Sequence, residues 1–564
     1  MIIGLDVGGT HTDVVLLSDA GVVESVKIPT DPDDLFNTVL SALRKITAGL
    51  DPQHIQRLVL STTLTTNAIV QRKISEVGML VLSGPGIDPE FFRTNRHYYT
   101  ISGTIDHRGR EAQPIDPEEV KRVCRIFEDE DIRHVGVVGK FSVRNPRHEL
   151  SVREILGDAF DKVFMGHEFS GSLNFSRRIA TTYLNAAVYA IHKAFFIAAK
   201  RSLATQGLRV PIYILKADGG TMSFEASMEI PGQTILSGPA ASVMGSIAFA
   251  PEKGEALVLD IGGTTTDMAL LIDRAPVLNP VGVQLGGHRT LIRSLETSSI
   301  GLGGDSVVKV SNGHLEIGPE RNGPAMAYGG PVPTPTDALF VLGQAENGDT
   351  AKAKNGIASI AKLLGTSPED TALDIFDQCC KVILREAQNM IERVNRKPVY
   401  TVHELREGYR VDPKHLLIIG GPAPYFARHI REISGFEVHL VPRWEVANAV
   451  GAALARTTCE VTLFADTQLG TATAPEENYS QKISKNYSYK DAVDTASALL
   501  KAKALKMGAV SEDLQLEVLE NLQFNMVRGF NTVGKNIRVK VQVKPGLIHD
   551  YYEVAEKLSH GGVF

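Results

Sequence analysis

The segment 4–17, GLDVGGTHTDVVLL, and the segment 258–271, VLDIGGTTTDMALL, align without a gap and share nine of fourteen residues. The shared set includes Asp6 with Asp260, Gly8-Gly9-Thr10 with Gly262-Gly263-Thr264, and Asp13 with Asp267. Each copy is an apolar run, a polar Gly-Gly-Thr turn and a second apolar run, the pattern of a β-hairpin. A glycine turn of this kind leaves backbone N–H groups bare, a ready seat for phosphate oxygens. The aspartate that ends each first strand can hold a divalent cation beside them. One copy alone reads as no more than a tight turn. Two copies, one at the head of each half of the chain, point beyond a mere turn to a shared task.

The remaining features narrow the class. A chain of 564 residues holds more than one domain and buries a sizeable core. Its net charge of −6 and lack of a basic run speak against a nucleic-acid partner. No apolar stretch has the length of a membrane span, and the N-terminus runs directly into a strand. The four cysteines, Cys124, Cys379, Cys380 and Cys459, are too few and too badly spaced for a disulfide framework. The expectation is a reduced, cytoplasmic protein.

Between the hairpins, strand and helix patterns alternate. A buried strand at 57–61 runs into Thr62-Thr63-Leu64-Thr65-Thr66-Asn67, either a helix cap or a polar rim on a ligand. Residues 91–117 form a polar insertion with Asp106-His107-Arg108-Gly109-Arg110. Residues 176–206 have the spacing of a long amphipathic helix, and the strand 212–216 leads into Asp218-Gly219-Gly220. Small residues at Gly238, Ala240, Ala241 and Gly245, and again at 447–453, suit helices that approach other backbone closely. Residues 318–343 read as a Pro- and Gly-rich loop. The strand 415–419 ends in Gly420-Gly421, a bare turn against which a flat ring can lie. In the tail, 489–507 and 511–528 read as helical and 536–543 as strand. His97, His107, His167 and His288 fall in polar loops, either as metal ligands or bases or as ordinary hydrogen-bonding groups.

Taken in order, hairpin, small-residue helix, hairpin, Ile-Gly-Gly-Pro turn and small-residue helix resemble the nucleotide signature of the acetate/sugar kinase–Hsp70–actin superfamily. The stretches Thr62–Ala68, Asp106–Arg110, Gly166–Ser170, Ile235–Ala241, Asp260–Asp267, Gly318–Arg321 and Gly420–Pro422 further resemble the hydantoinase A/5-oxoprolinase group, which includes acetone-carboxylase-like subunits. The resemblance covers residues 1 to about 456. It implies an α/β, two-lobed actin-like ATPase fold with duplicated ribonuclease-H-like domains. On that reading 1–245 is the first lobe, with an α/β segment inserted at about 76–175, 246–457 is the second, and 458–564 is an extension. In family terms, the N-terminal region ends near 175 and the hydantoinase A region runs from 176 to 457.

The resemblance also implies ATP-dependent opening of a cyclic amide or imide, with Mg²⁺ or another divalent cation. Asp6 and Asp260 would sit by metal and phosphates, with Asp13 and Asp267 beside them. Gly8, Gly9, Thr10, Gly262, Gly263 and Thr264 would cradle the nucleotide's phosphates, Gly420 and Gly421 would face its adenosine, and His11, Thr12, Thr265 and Gly238 are further cofactor-binding candidates. Thr62, Thr63, Asn67, Asp218 and Gly219 are the substrate-side candidates. Family members commonly work with a second, B-type subunit, and self-association stays open. Three departures, at Ser83-Gly84-Pro85-Gly86, Leu215–Gly220 and Pro324–Gly329, lie outside the nucleotide signature and bear on the substrate. An ATP-dependent carboxylase subunit or small-molecule kinase on the same fold, or a non-enzymatic ATP switch, are the alternatives.

Overall fold

The structure, a computed structural model, describes residues 1–548 apart from Thr10, 32–33, 206, 280 and 397–409. Thr10, an expected phosphate contact, lies outside the described residues. In chain order the first strands are β1 Ile2–Val7, β2 His11–Ser18, β3 Gly21–Pro29 and β4 Arg57–Thr62. Next come β5 Val77–Leu82, β6 Tyr98–Thr100, β7 His134–Gly139, β8 Lys162–Met165, β9 Ile212–Leu215 and β10 Thr221–Ser223. The second half contributes β11 Glu255–Ile261, β12 Thr266–Ile272, β13 Thr297–Ile300, β14 His415–Ile419 and β15 Glu437–Leu440. The chain ends with β16 Glu460–Asp466, β17 Thr471–Ala474, β18 Tyr479–Lys482, β19 Leu516–Arg528 and β20 Asn531–Val543.

Two sheets repeat one topology. The first runs β3-β2-β1-β4-β9-β10, and the second runs β13-β12-β11-β14-β15. In both, the opening strand pairs antiparallel with the next and parallel with a later one. This 3-2-1-4-5 order with an antiparallel hairpin at one edge is the ribonuclease-H-like arrangement. Its duplication makes the two-lobed actin-like fold. The repeated sequence occupies the same place in each sheet, with Asp6 opposite Asp13 and Asp260 opposite Asp267.

Two helices lock the lobes together. α3 Ser237–Ser246 and α5 Ala447–Leu454 cross so closely that a Cβ on Gly245 would lie 2.1 Å from the Ala447 carbonyl. A Cβ on Gly451 would lie 2.2 Å from that of Ala241, and one on Gly4 of β1 would lie 2.1 Å from that of Ala449. One apolar core, holding Val15, Val59, Val258, Leu417 and both helices, therefore spans the two halves. Only residues without bulk permit that approach.

Residues 77–165, which fall between neighbouring strands β4 and β9, form a separate all-parallel sheet, β8-β7-β5-β6. The helix α2 Phe175–Thr205 packs against this sheet on one side and the first lobe's core on another. Residues from Ile179 to Tyr189 are accordingly buried almost without a break, and the expected single apolar stripe is absent. The tail closes into β18-β17-β16-β20-β19 with α6 Tyr489–Lys506 packed on it.

Two expectations are corrected here. Residues 516–528 are a strand rather than part of a helix, because they pair along their length with β20. Within the Pro- and Gly-rich stretch 318–343 lies α4 Pro335–Val341, started by a capping box in which Thr334 and Asp337 bond each other's backbone N–H. No helix among the described residues is long and apolar enough to cross a membrane.

Candidate functional site between the two hairpins

The hairpin turns face each other at the ends of β1 and β11, and four carboxylates gather there. Ser61 and Asn448 stand beside the Asp6 carboxyl and favour its charged form, and its Oδ1 is buried with no partner among the described residues. Asp260 Oδ2 accepts from Ser242 Oγ at 2.5 Å and from Asn448 Nδ2 at 3.3 Å. Asn448 of α5 thus bridges the metal-side candidates of both lobes. Asp13 is paired with Lys27 Nζ at 2.8 Å, whereas Asp267 has Ser299 of the adjacent strand β13.

The electrostatics follow from burying like charges together. Burial, helped by the charges of Asp13 and Asp260, pushes the Asp6 carboxyl up to about 7. Burial with Asp260 alongside does the same to Asp267, also to about 7. Burial raises Asp13 and Asp260 too, but Lys27 tempers the first, and the Ser242 and Asn448 hydrogen bonds temper the second. A cation offsets the repulsion within such a cluster, and the buried, unpartnered Asp6 Oδ1 offers it a ligand atom. Among the described residues no three of these carboxylates converge within 4.8 Å of one another. The set fits Mg²⁺ held by one or two carboxylates, with water and phosphate oxygens completing the shell.

Around this centre the turns differ in cover. A Cβ on Gly9 would meet nothing within 4 Å, while one on Gly263 would lie 2.6 Å from Asp305 Oδ2. The loop 303–305 lies over the second turn, with Gly304 N bonded to Gly262 O at 3.0 Å and Asp305 N to Gly263 O at 2.7 Å. Asp305 is held by Arg321 at 3.1 Å. Burial and Lys27 lower the His11 imidazole, and Asp305 and Arg321 of the opposite lobe stand near enough to act on it. Gly420 takes φ 101 and sits where a Cβ would lie 2.2 Å from the Ile261 carbonyl; Gly421 beside it is open. The backbone N–H of Gly420 bonds the carbonyl of Trp444, the only tryptophan.

On the first lobe's side, the rim of α1 Leu64–Val70 meets the start of α3. Ser237 Oγ accepts from Thr62 N and donates to Thr62 O, and Thr65 pairs with Thr234. Leu236 adopts φ 63, strained for a leucine, with its N–H bonded to Thr66 Oγ1 at 2.9 Å. Thr62 is buried in this contact, whereas Thr63 is half-buried beside Gly238 and Asn67 is exposed.

Other sequence candidates are placed elsewhere. Asp218 is buried and committed to Lys216 at 3.2 Å, Thr458 at 2.8 Å and Arg293 at 3.5 Å. Against the burial that would raise it, Lys216 and Arg293 hold it below the usual carboxylate range. It fastens the lobes to β16. Gly219 takes φ 79 under Met244. His167 is fully buried with its Nδ1 2.5 Å from Glu149, a structural pair rather than an open loop group. His97 is buried beside Arg96, His288 is half-buried against Tyr183, and His107 is exposed. Ser61, Ser242, Asn448 and Lys27 escaped the sequence reading. The available signal was a polar residue among small apolar ones, Asn448 being the only polar member of α5.

A family model described as Hydantoinase/oxoprolinase matches residues 178–461, and one for the Hydantoinase/oxoprolinase N-terminal region matches 2–160. The chain belongs to the hydantoinase/oxoprolinase family. Among its relatives in this family, the acetophenone carboxylase gamma subunit of Aromatoleum aromaticum is 29% identical over 484 residues, covering 75% of this chain and 63% of that one. The caprolactamase subunit alpha of Pseudomonas jessenii is 25% identical, covering 78% and 68%. The chain spans 41% of 5-oxoprolinase 1 of Arabidopsis thaliana, at 22% identity. In fold it is similar to ATP-dependent caprolactamase from Pseudomonas jessenii (TM-score 0.71, 20% identity, 96% of this chain and 87% of that one). It is equally similar to nucleotide-free acetone carboxylase (TM-score 0.69, 18% identity, 98% and 88%).

Proposed function

We propose that this chain is an ATP-dependent hydrolase that opens a cyclic amide or imide of the hydantoin or 5-oxoproline class by phosphorylating its carbonyl oxygen. The observation that carries the reading is the pair of facing Asp-x-Gly-Gly hairpins with Asp6 and Asp260 bridged by Asn448. In this reading residues 1–245 and 246–457 are lobes that close over ATP, and 458–564 extend them.

The chemistry is one of positioning and charge. A lactam carbonyl is a poor electrophile, and a phosphoryl group on its oxygen opens the ring carbon to water. The ring C–N bond then breaks, the nitrogen takes a proton, and a second water splits the resulting acyl phosphate into carboxylate and inorganic phosphate. The cation, when bound, neutralises phosphate charge. The N–H groups of Gly8 and Gly262 close their turns onto the carbonyls of His11 and Thr265, which leaves those of Gly9 and Gly263 to hold the phosphate oxygens in place. Asp6 and Asp260 are the carboxylates that would hold the cation; Asp13 and Asp267 orient water or cap their turns. Thr63, Asn67 and Gly238 line the opposite rim, and Gly421 leaves bare backbone for the base. Relatives named as subunits of acetophenone carboxylase and caprolactamase support a second polypeptide as partner. The acetophenone carboxylase likeness also keeps ATP-dependent ketone carboxylation as the second reading.

The test is phosphate release from Mg-ATP against 5-oxoproline, hydantoins, caprolactam and simple ketones with bicarbonate, with Asp260→Ala as control. Stimulation by one cyclic amide with ring-opened product supports the hydrolase. Stimulation only by a ketone with bicarbonate moves the assignment to carboxylation. No binding of ATP at all overturns both.

A further inference from the structure

The inserted parallel sheet has its own crevice, away from the hairpins. β5 is where its connections reverse, since the chain first lays β6 on one side of β5 and then β7 on the other. In open parallel sheets, ligand crevices form outside the carboxyl ends of the strands at such a switch. Two loops leave the sheet there. Past β6, the short ladder 104–105 with 111–113 supports a turn in which Asp106 Oδ1 accepts from the backbone N–H of Arg108 at 2.8 Å and Arg110 at 2.9 Å. Past β7, residues 140–145 present Arg144, and Asn145 Nδ2 donates to Gly109 O at 2.9 Å, tying the loops together.

The C-terminal sheet supplies the facing wall. Phe464 and Asp466 of β16 and Arg528 of β19 complete a cavity of about 450 Å³ with Arg108 and Arg144. That is room for a small metabolite rather than a bare ion. Three guanidiniums stand against one carboxylate, and Asp466 spends its Oδ1 on the N–H groups of Gln468 and Leu469. Arg108 donates to Gln468 Oε1 at 3.0 Å and stays 3.9 Å from Asp466. Arg144 lies flat on the Phe464 ring, 3.2 Å from its centroid, with its Nε buried and unpartnered among the described residues. Burial, with Arg538 nearby, pushes that guanidinium down to about 10. One half-committed carboxylate, Asp466, faces three guanidiniums, so positive charge is in excess along this wall and an anion between the arginines would offset it.

We propose that this cavity binds a small molecule through a carboxylate or phosphate group held by Arg144, Arg108 and Arg528. The site goes beyond the ATP-dependent reading and shares none of its residues. It gives the Asp106–Arg110 turn and the C-terminal sheet a joint task.

The test uses the full chain with its nucleotide site filled by a non-hydrolysable ATP analogue, titrated calorimetrically with inorganic phosphate and separately with glutarate. Saturable binding is expected for at least one probe, weakened about tenfold or more by Arg144→Ala and by Arg528→Ala. Tighter phosphate binding names a phosphate ligand, and tighter glutarate binding a carboxylate ligand. Arg528 is exposed, so Arg528→Ala keeps the test valid if Arg144→Ala fails to fold. Absence of binding by both probes, or binding unchanged in a folded Arg528→Ala protein, overturns the proposal.

Discussion

The two hairpins are near copies in sequence and opposites in surroundings. The first turn is open at Gly9, and its second-strand carboxylate, Asp13, has a lysine. The second turn is roofed by residues 303–305, and its second-strand carboxylate, Asp267, has a serine, Ser299, in place of a cation. The acid driven up to about 7 is therefore the first-strand Asp6 in one hairpin and the second-strand Asp267 in the other. A duplicated motif supplies two equal backbones, and its neighbours then assign unequal tasks. The second turn is covered and its cover is braced by Arg321, whereas the first turn is open at Gly9.

The largest effect expected is on turnover. Replacing Asp260 with Asn, which keeps size and removes charge, should cut the ATP-dependent rate by about 10²–10³-fold. The same change at Asp6 should match it if both lobes hold the cation; steady-state phosphate release compares the two. Next comes the joint between the lobes. Gly451→Ala drives a methyl into the Ala241 carbonyl and should cost about 1–3 kcal/mol in urea unfolding, whereas Gly421→Ala, which meets nothing, should cost almost none.

A third pair separates the turns directly. Gly263→Ala must displace Asp305 and should lower both stability and nucleotide affinity. Gly9→Ala meets no protein atom and should lower affinity alone, read from the fluorescence of Trp444, whose carbonyl holds Gly420.

The pH response is subtler. Asp6 and Asp267 take up protons on folding, because their carboxyls lie above the ordinary value of 3.8, so their contribution to stability is present at low pH and lost as pH rises through about 7. The nucleotide-free chain should lose stability from pH 5 to 8, less steeply in Asp6→Asn and Asp267→Asn proteins. Mg-ATP should bind more tightly across the same range as both groups ionise. The smallest effect is that of Lys27→Met, about 0–1 kcal/mol in the unfolding free energy, since the lysine is 42% exposed.

Much of this was legible in the chain itself. Repetition of a fourteen-residue pattern marked both hairpins, their turns and the aspartates facing each other across them, because hairpin register is a local property. Glycines at 245 and 451 signalled close helix contact, and the Gly420-Gly421 turn stood at the end of its strand as expected. The local pattern of 516–528 was ambiguous between helix and strand, and only its pairing with β20 settled it. The roles of Asp218 and His167 were likewise invisible, since both depend on partners that only folding brings to them, Thr458 and Arg293 for one and Glu149 for the other.

What the sequence determined by itself, then, is the pair of Asp-x-Gly-Gly turns and the class of fold that holds two of them. Tertiary structure decided which carboxylates share Asn448, which turn is roofed, and which charged groups are walled away from the cleft. The reason is physical. Backbone shape at a turn depends on a few adjacent residues, whereas burial and the summed field of neighbouring charges depend on segments hundreds of residues apart.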